Sequence, residues 1–205
     1  MLAVLRPRTI HEARGQLDQL LAAGLEHVEI AVQASEAWVV MVRELRAAFP
    51  ALRLGAASVC DGSGLQAALA AGLRYAVSPI LDPALLHTAQ AAAITLVPGV
   101  FSPTEIALAQ RCGAPAVKLF PAAALGPTYW RSLAGPLGPL PFCIAAGGLA
   151  AGDVLPWLTA GVDAVALGNS LFDDAPASGA NPAAIARLKP DLAALVTRLA
   201  QADNR

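Results

Sequence analysis

The sequence predicts an α/β fold, a closed (β/α)8 barrel in a single domain over residues 1–205. Three observations predict it. Four times a helix-like stretch ends in glycine and leads into an apolar strand: Gly24 to Ile30, Gly72 to Ser78, Gly113 to Leu119 and Gly161 to Leu167. Between these units lie four further short apolar runs, Leu2 to Leu5, Leu52 to Val59, Ile94 to Val97 and Phe142 to Ala146. Each of the eight runs is followed by a helical pattern, and strands that alternate with helices build parallel sheets. The length of 205 residues sits near the ~200-residue minimum for an eightfold barrel. An open doubly wound sheet is the competitor, but no G-x-G-x-x-G follows the first strand.

The elements justify themselves in order. After the first strand, Thr9-Ile10-His11-Glu12 has the spacing of a capping box, in which the hydroxyl and the carboxylate each satisfy an exposed backbone amide. Ile10, Ala13, Leu17, Leu20 and Leu21 then mark one helical face. Gly24 suits the left-handed position that ends the helix, as do Gly72, Gly113 and Gly161 in their turns. Ser35 opens the next helix, with Trp38, Met41, Val42, Leu45 and Phe49 on its buried side and Pro50 behind it. A last helix is expected at about 181–202.

The repeat also sets the register. Counting five from each repeat glycine lands on Glu29, Val77, Lys118 and Ala166, which alternate strands would place in one interior layer. Because side chains alternate faces along a strand, Glu29 and Ala31 point inward while Val28, Ile30 and Val32 face the helices. Likewise Ala116, Lys118 and Phe120 point inward, and Val117 and Leu119 outward. The small Ala31 and Ala166 leave room for a ligand.

Composition narrows the function. A formal charge of −1 provides no basic field for nucleic acid. A long charge-free stretch, Ser132 to Gly152, is broken by prolines and glycines and cannot be a membrane helix. Nothing at the start reads as a signal peptide. Cys60, Cys112 and Cys143 form no CxxC and read as reduced thiols, and His11, His27 and His87 are not clustered. The expectation is a cytoplasmic globule with no metal and no cofactor. The 56% hydrophobic content and mean hydropathy of +0.56 allow a large core, with apolar surface left for subunit contacts.

The chain has two lysines against twelve arginines, and Lys118 lies in the apolar Ala116-Val117-Lys118-Leu119-Phe120-Pro121. Arginine keeps its proton in a protein, whereas a buried lysine can lose it. A desolvated amine attacks a carbonyl to form a Schiff base, and a carboxylate in the same cavity, Glu29, can move the protons. A structural ion pair plugging the barrel is the alternative for these two residues, although such pairs stabilise poorly. Gly147-Gly148 after the seventh strand and Gly168-Asn169 after the eighth let backbone amides approach a phosphate closely. Arg6 would sit at the rim of the first strand and could bind a carboxylate or phosphate. Gln33 and Ser58 end the second and third strands as polar contacts.

Taken together, Leu2-Ala-Val-Leu-Arg6, Val28-Glu29-Ile30, Gly55-Ala-Ala-Ser-Val59, Ser78-Pro79, Val97-Pro-Gly99, Pro103-Thr-Glu105, Val117-Lys-Leu-Phe-Pro121, Gly126-Pro127, Gly147-Gly148 and Leu167-Gly168 resemble the 2-keto-3-deoxy-6-phospho-sugar-acid aldolases, a family that includes 4-hydroxy-2-oxoglutarate aldolase. The resemblance implies a trimeric, metal-independent class I aldolase that acts on a small phosphorylated keto acid and yields pyruvate and glyceraldehyde 3-phosphate. It implies Lys118 as the Schiff-base lysine, Glu29 as the general acid/base, and Gly147, Gly148, Gly168 and Asn169 as the phosphate loops. Pro79 and Phe120 join Arg6, Gln33 and Ser58 as expected substrate contacts. The chain departs from the family pattern at Ala31, Gln33, Ala57-Ser58, Ile80, Ala146 and Asn169. Gln33, Ala146 and Gly126-Pro127 lean towards the phosphogalactonate branch rather than the phosphogluconate one. Two other readings stay open: a phosphate-binding barrel isomerase, and a phosphosugar-binding barrel without catalysis.

Overall fold

The computed structural model describes residues 1–171. Nine strands, β1 (Leu2–Leu5), β2 (His27–Ala31), β3 (Arg53–Ala57), β4 (Tyr75–Val77), β5 (Thr95–Val97), β6 (Gly99–Val100), β7 (Ala116–Leu119), β8 (Phe142–Ala146) and β9 (Ala164–Leu167), alternate with seven helices. The helices are α1 (Ile10–Ala22), α2 (Glu36–Ala48), α3 (Gly62–Ala70), α4 (Pro83–Ala91), α5 (Pro103–Arg111), α6 (Pro127–Leu137) and α7 (Val154–Thr159). Every strand pair is parallel, in the order β5-β4-β3-β2-β1-β9-β8-β7-β6. The two ends of that order are consecutive in the chain, so the sheet curls into the expected barrel. The helix expected at about 181–202 lies outside the described residues.

The fifth barrel strand runs further than its apolar run suggests, and it is interrupted. Pro98 has no N–H to give a ladder, so the strand divides there. β5 pairs with β4 and β6 with β7, while the Pro98 carbonyl still accepts from the Lys118 amide at 2.8 Å. That bond ties the strand carrying Lys118 across the break.

The glycines that end the repeated units behave as their chemistry requires. Gly24, Gly72, Gly113 and Gly161 have φ of 83°, 73°, 72° and 96°, where a side chain would be strained. Two local expectations change. Glu12 accepts from the Arg8 amide at 2.8 Å instead of closing a box on Thr9, although Thr9 Oγ1 does accept from the Glu12 amide at 3.1 Å. On α1, Gln16 turns inward and Leu21 outward, because the buried stripe follows the 3.6-residue turn and passes between them. No described helix is long and apolar enough to cross a membrane.

Two separate apolar layers follow from the alternation of strand faces. Ala3, Leu5, Val28, Ile30, Val117, Leu119, Val165 and Leu167 pack with the helices. Leu2, Val4, Ala57, Val77, Val97, Ile144, Ala146, Ala164 and Ala166 fill the barrel. Tyr75 joins the interior set. Its hydroxyl lies 3.2 Å from the Arg53 carbonyl and 3.4 Å from that of Val28, and its ring covers Gly55 so closely that a Cβ there would overlap the ring carbons. Gly55→Ala should therefore lower stability by about 1–3 kcal/mol, the usual cost of overpacking. The urea midpoint measures it, and a Gly55→Ala/Tyr75→Leu double variant should recover part of the loss.

Candidate active site

Glu29 sits on β2 opposite Val4 on one side and Gly55 on the other. Lys118 sits on β7 opposite Ile144. Val4 and Ile144 belong to the interior layer, so both charged residues project inside the barrel. Glu29 is 1% exposed and Lys118 7%. The closed sheet and the packed layer leave little water for either.

The pair is not a salt bridge. Among the described residues the ion pair within 4.0 Å is Arg14–Glu44 at 3.9 Å, on the surface. Both Glu29 carboxyl oxygens are buried and have no hydrogen-bond partner. Burial raises the Glu29 pKa to about 7, against the opposing pull of Lys118 and Arg6. Burial also lowers the Lys118 pKa; Glu29 and Cys60 oppose this, and Arg6 adds to it. Each group is thus pushed towards its neutral form, the form a nucleophilic amine and a proton-carrying acid need. The Lys118 ammonium nitrogen lies 4.8 Å from the centre of the Phe120 ring.

Above Lys118 opens a cavity of about 410 Å³. Arg6, Lys118, Phe120, Gly147, Gly148 and Gly168 all line it, so six of the residues expected from sequence come together. The two glycines after β8 have φ of 93° and 74°. A Cβ on Gly147 would lie 2.7 Å from carbons of the Phe120 ring, and one on Gly148 2.9 Å from the Ala123 Cβ. The loop therefore lies flat on the segment that follows Lys118. A Cβ built on Gly168 would lie 3.7 Å from Arg6 Nη1, so the guanidinium stands beside the second glycine turn.

Other expected contacts stand elsewhere. Glu29 lies beneath the cavity and is not part of its lining. Gln33, Ser58 and Pro79 are also outside it. Gln33 is exposed beyond β2 and Pro79 is half-buried beside Gly99. Ser58 takes a left-handed φ of 60°, which turns the chain out of β3. Asn169 opens the short helical turn Asn169–Leu171, and its side chain lies outside the described residues. Ser170, given no role of its own from the sequence, lines the cavity and donates to the Leu149 carbonyl at 2.7 Å, joining the two glycine loops. Its place directly after Gly168-Asn169 was the available signal. Tyr75 was missed, although alternation from Val77 points it inward. No group of three or more metal-ligating side chains occurs among the described residues.

Comparison with known proteins bears on the family and the fold. The profile of the family described as KDPG and KHG aldolase matches residues 1–188. The chain is 29% identical over 180 residues to the probable 2-dehydro-3-deoxy-6-phosphogalactonate aldolase of Rhizobium meliloti (strain 1021), covering 87% of this chain and 84% of that protein. It is 37% identical over 131 residues to the 2-dehydro-3-deoxy-phosphogluconate aldolase of Pseudomonas aeruginosa PAO1, a match that spans 63% of this chain and 59% of that protein. A solved structure described as native KDPGal superposes with a TM-score of 0.78 at 26% identity, over 100% of this chain and 96% of the other.

The raised proton affinity of Glu29 has a stability signature. Its folded pKa exceeds the unfolded value of 4.5, so the folded state holds the proton more tightly and stability falls as pH rises from about 4.5 to about 7. Glu29→Gln removes that loss. The variant should match the wild type near pH 4 and exceed it at pH 8 by up to roughly 3 kcal/mol, read from denaturation at both pH values.

Proposed function

The chain belongs to the KDPG and KHG aldolase family and is an aldolase, and on that premise we propose a class I mechanism on a 2-keto-3-deoxy-6-phospho-sugar acid of the galacto or gluco series. One observation carries the reading: a buried amine and a buried, unpartnered carboxyl share the barrel interior without an ion pair. The Lys118 nitrogen attacks the keto carbon, and loss of water leaves a protonated imine. Glu29 takes the proton of the hydroxyl on the second carbon beyond it, and the bond between that carbon and the one next to the imine carbon breaks. The electron pair flows into the imine to give an enamine, and glyceraldehyde 3-phosphate leaves. Proton return to the enamine, followed by hydrolysis, releases pyruvate and frees the amine.

The cavity wall fits the two ends of such a substrate. Gly147, Gly148, Gly168 and Asn169 offer backbone amides to the phosphate, and Arg6 beside Gly168 supplies a charge-assisted contact. Phe120 packs the reacting end against Lys118. The relatives in Rhizobium meliloti and Pseudomonas aeruginosa carry names from the two epimeric series, which supports the substrate class. The reading includes a homotrimer, acting in the cytoplasm and without a metal ion or other cofactor.

Incubation with pyruvate and borohydride should add one reduced pyruvyl group at Lys118. Absence of an adduct, or an adduct on Lys189 alone, removes the Schiff-base step. Pyruvate release from both phosphorylated epimers and from 4-hydroxy-2-oxoglutarate identifies the substrate, with Lys118→Ala as the inactive control. Glu29→Gln should lower kcat by about 10²–10⁴-fold, the usual share of a general acid–base group. A variant that retains full turnover would assign proton transfer to another residue.

A further inference from the structure

A second cavity, of about 360 Å³, opens at the N-terminal ends of β2, β3 and β4. In a parallel barrel that is the end opposite the glycine loops. His27, Arg46, Arg53, Arg74 and Tyr75 line it, and no carboxylate does. Three of the chain's twelve arginines gather there, although the chain as a whole carries a formal charge of −1.

Their local duties do not account for all three. Arg46 gives Nη1 to the Ala71 carbonyl at 3.0 Å and so caps the end of α3. The Arg53 and Arg74 side chains have no hydrogen bond or ion pair among the described residues. Their backbones are fixed: the Arg53 amide bonds Glu26 at 2.7 Å, and the Arg74 carbonyl accepts from Thr95 at 3.1 Å. The carbonyls of Arg53 and Val28 already face the Tyr75 hydroxyl, so nearby backbone acceptors are engaged. The field is positive as well. His27 is held below its ordinary pKa, first by burial and then by Arg53 and the N-terminal amine, with Glu26 opposing.

We infer that this rim cavity is an anion site for a small phosphorylated metabolite, whose phosphate the Arg53 and Arg74 guanidiniums grip in bidentate fashion. A guanidinium fork matches phosphate geometry, and the cavity volume falls within the roughly 300–1,000 Å³ of small-molecule sites. Tyr75 and Leu54 supply the apolar wall. The Tyr75 ring belongs to this cavity and to the barrel interior alike, so it separates the bound anion from the chamber of Glu29. The site is distinct from the substrate cavity and does not depend on the aldolase mechanism.

Titration calorimetry of the whole chain with inorganic pyrophosphate at low salt tests it. The wild type should bind two equivalents, one at each end. The R53S/R74S variant should lose one, with affinity at that end falling at least about tenfold, while aldol cleavage without added anion is unchanged. R6S should weaken the other equivalent and keep the rim one. A single equivalent in the wild type that R6S abolishes overturns the site, as does wild-type binding in R53S/R74S. Should the double variant not fold by circular dichroism, R74Q keeps the Thr95 backbone bond and should still weaken rim binding about fivefold or more; unchanged binding overturns the site. The pyruvate adduct at Lys118 is a separate readout, so failure of either proposal is visible without the other.

Discussion

Exclusion of water from the barrel interior is the constraint on which the site depends. A carboxyl and an amine placed there at hydrogen-bond distance would ionise each other, and the field of each would restore the other's charge. Here they are buried in the same interior without touching, so desolvation outweighs mutual attraction and pushes both towards neutrality. The two unpartnered carboxyl oxygens of Glu29 are costly in a protein that only has to fold. They make sense where a substrate hydroxyl must hand over a proton. Arg6 tunes the balance from the rim, since its charge lowers both pKa values, making the amine easier to free and the acid easier to ionise.

The barrel was legible because its repeat is written in two independent signals that agree. The glycine at each helix end marks where the backbone must turn left-handed, and the apolar run five residues on marks where the strand is buried. Counting from one to the other gives the register, and a period of two then assigns every side chain to a face. Glu29, Lys118, Val77 and Ala166 fall inside for that reason, and Tyr75 would have too had the count been continued backwards. The break at Pro98 was harder to see. Proline interrupts a ladder whatever its neighbours, but apolar residues on both sides hide where pairing passes from one neighbour strand to the other.

The loops were less legible than the strands. The glycine pair after β8 identifies itself, because positive φ and close approach to Phe120 and Ala123 leave no room for a side chain. The polar residues that close strands, Gln33 and Ser58, carry no such restriction. A strand-end position fixes where the Cα sits, but the following turn decides where the side chain goes. At Ser58 a left-handed residue redirects the chain, and no periodicity in the sequence encodes that. Ser170 shows the converse: its bond to Leu149 depends on two loops that only the closed barrel brings together.

The two ends of the barrel divide the labour by the direction of their strands. Parallel strands deliver every C-terminus to one rim, and there the glycine turns present backbone amides while Arg6 adds a single guanidinium. The opposite rim receives strand starts, where Arg53 and Arg74 follow helix-ending turns and nothing engages their side chains. Leu52 and Leu54 line the same cavity as the arginines, and both guanidiniums stay exposed and charged. A cluster of like charges persists in a folded protein only if solvent screens it or an anion joins it. Exposure at this rim allows the first, whereas the cavity between the guanidiniums and Tyr75 favours the second, because an anion seated there meets several donors at once and water meets them singly.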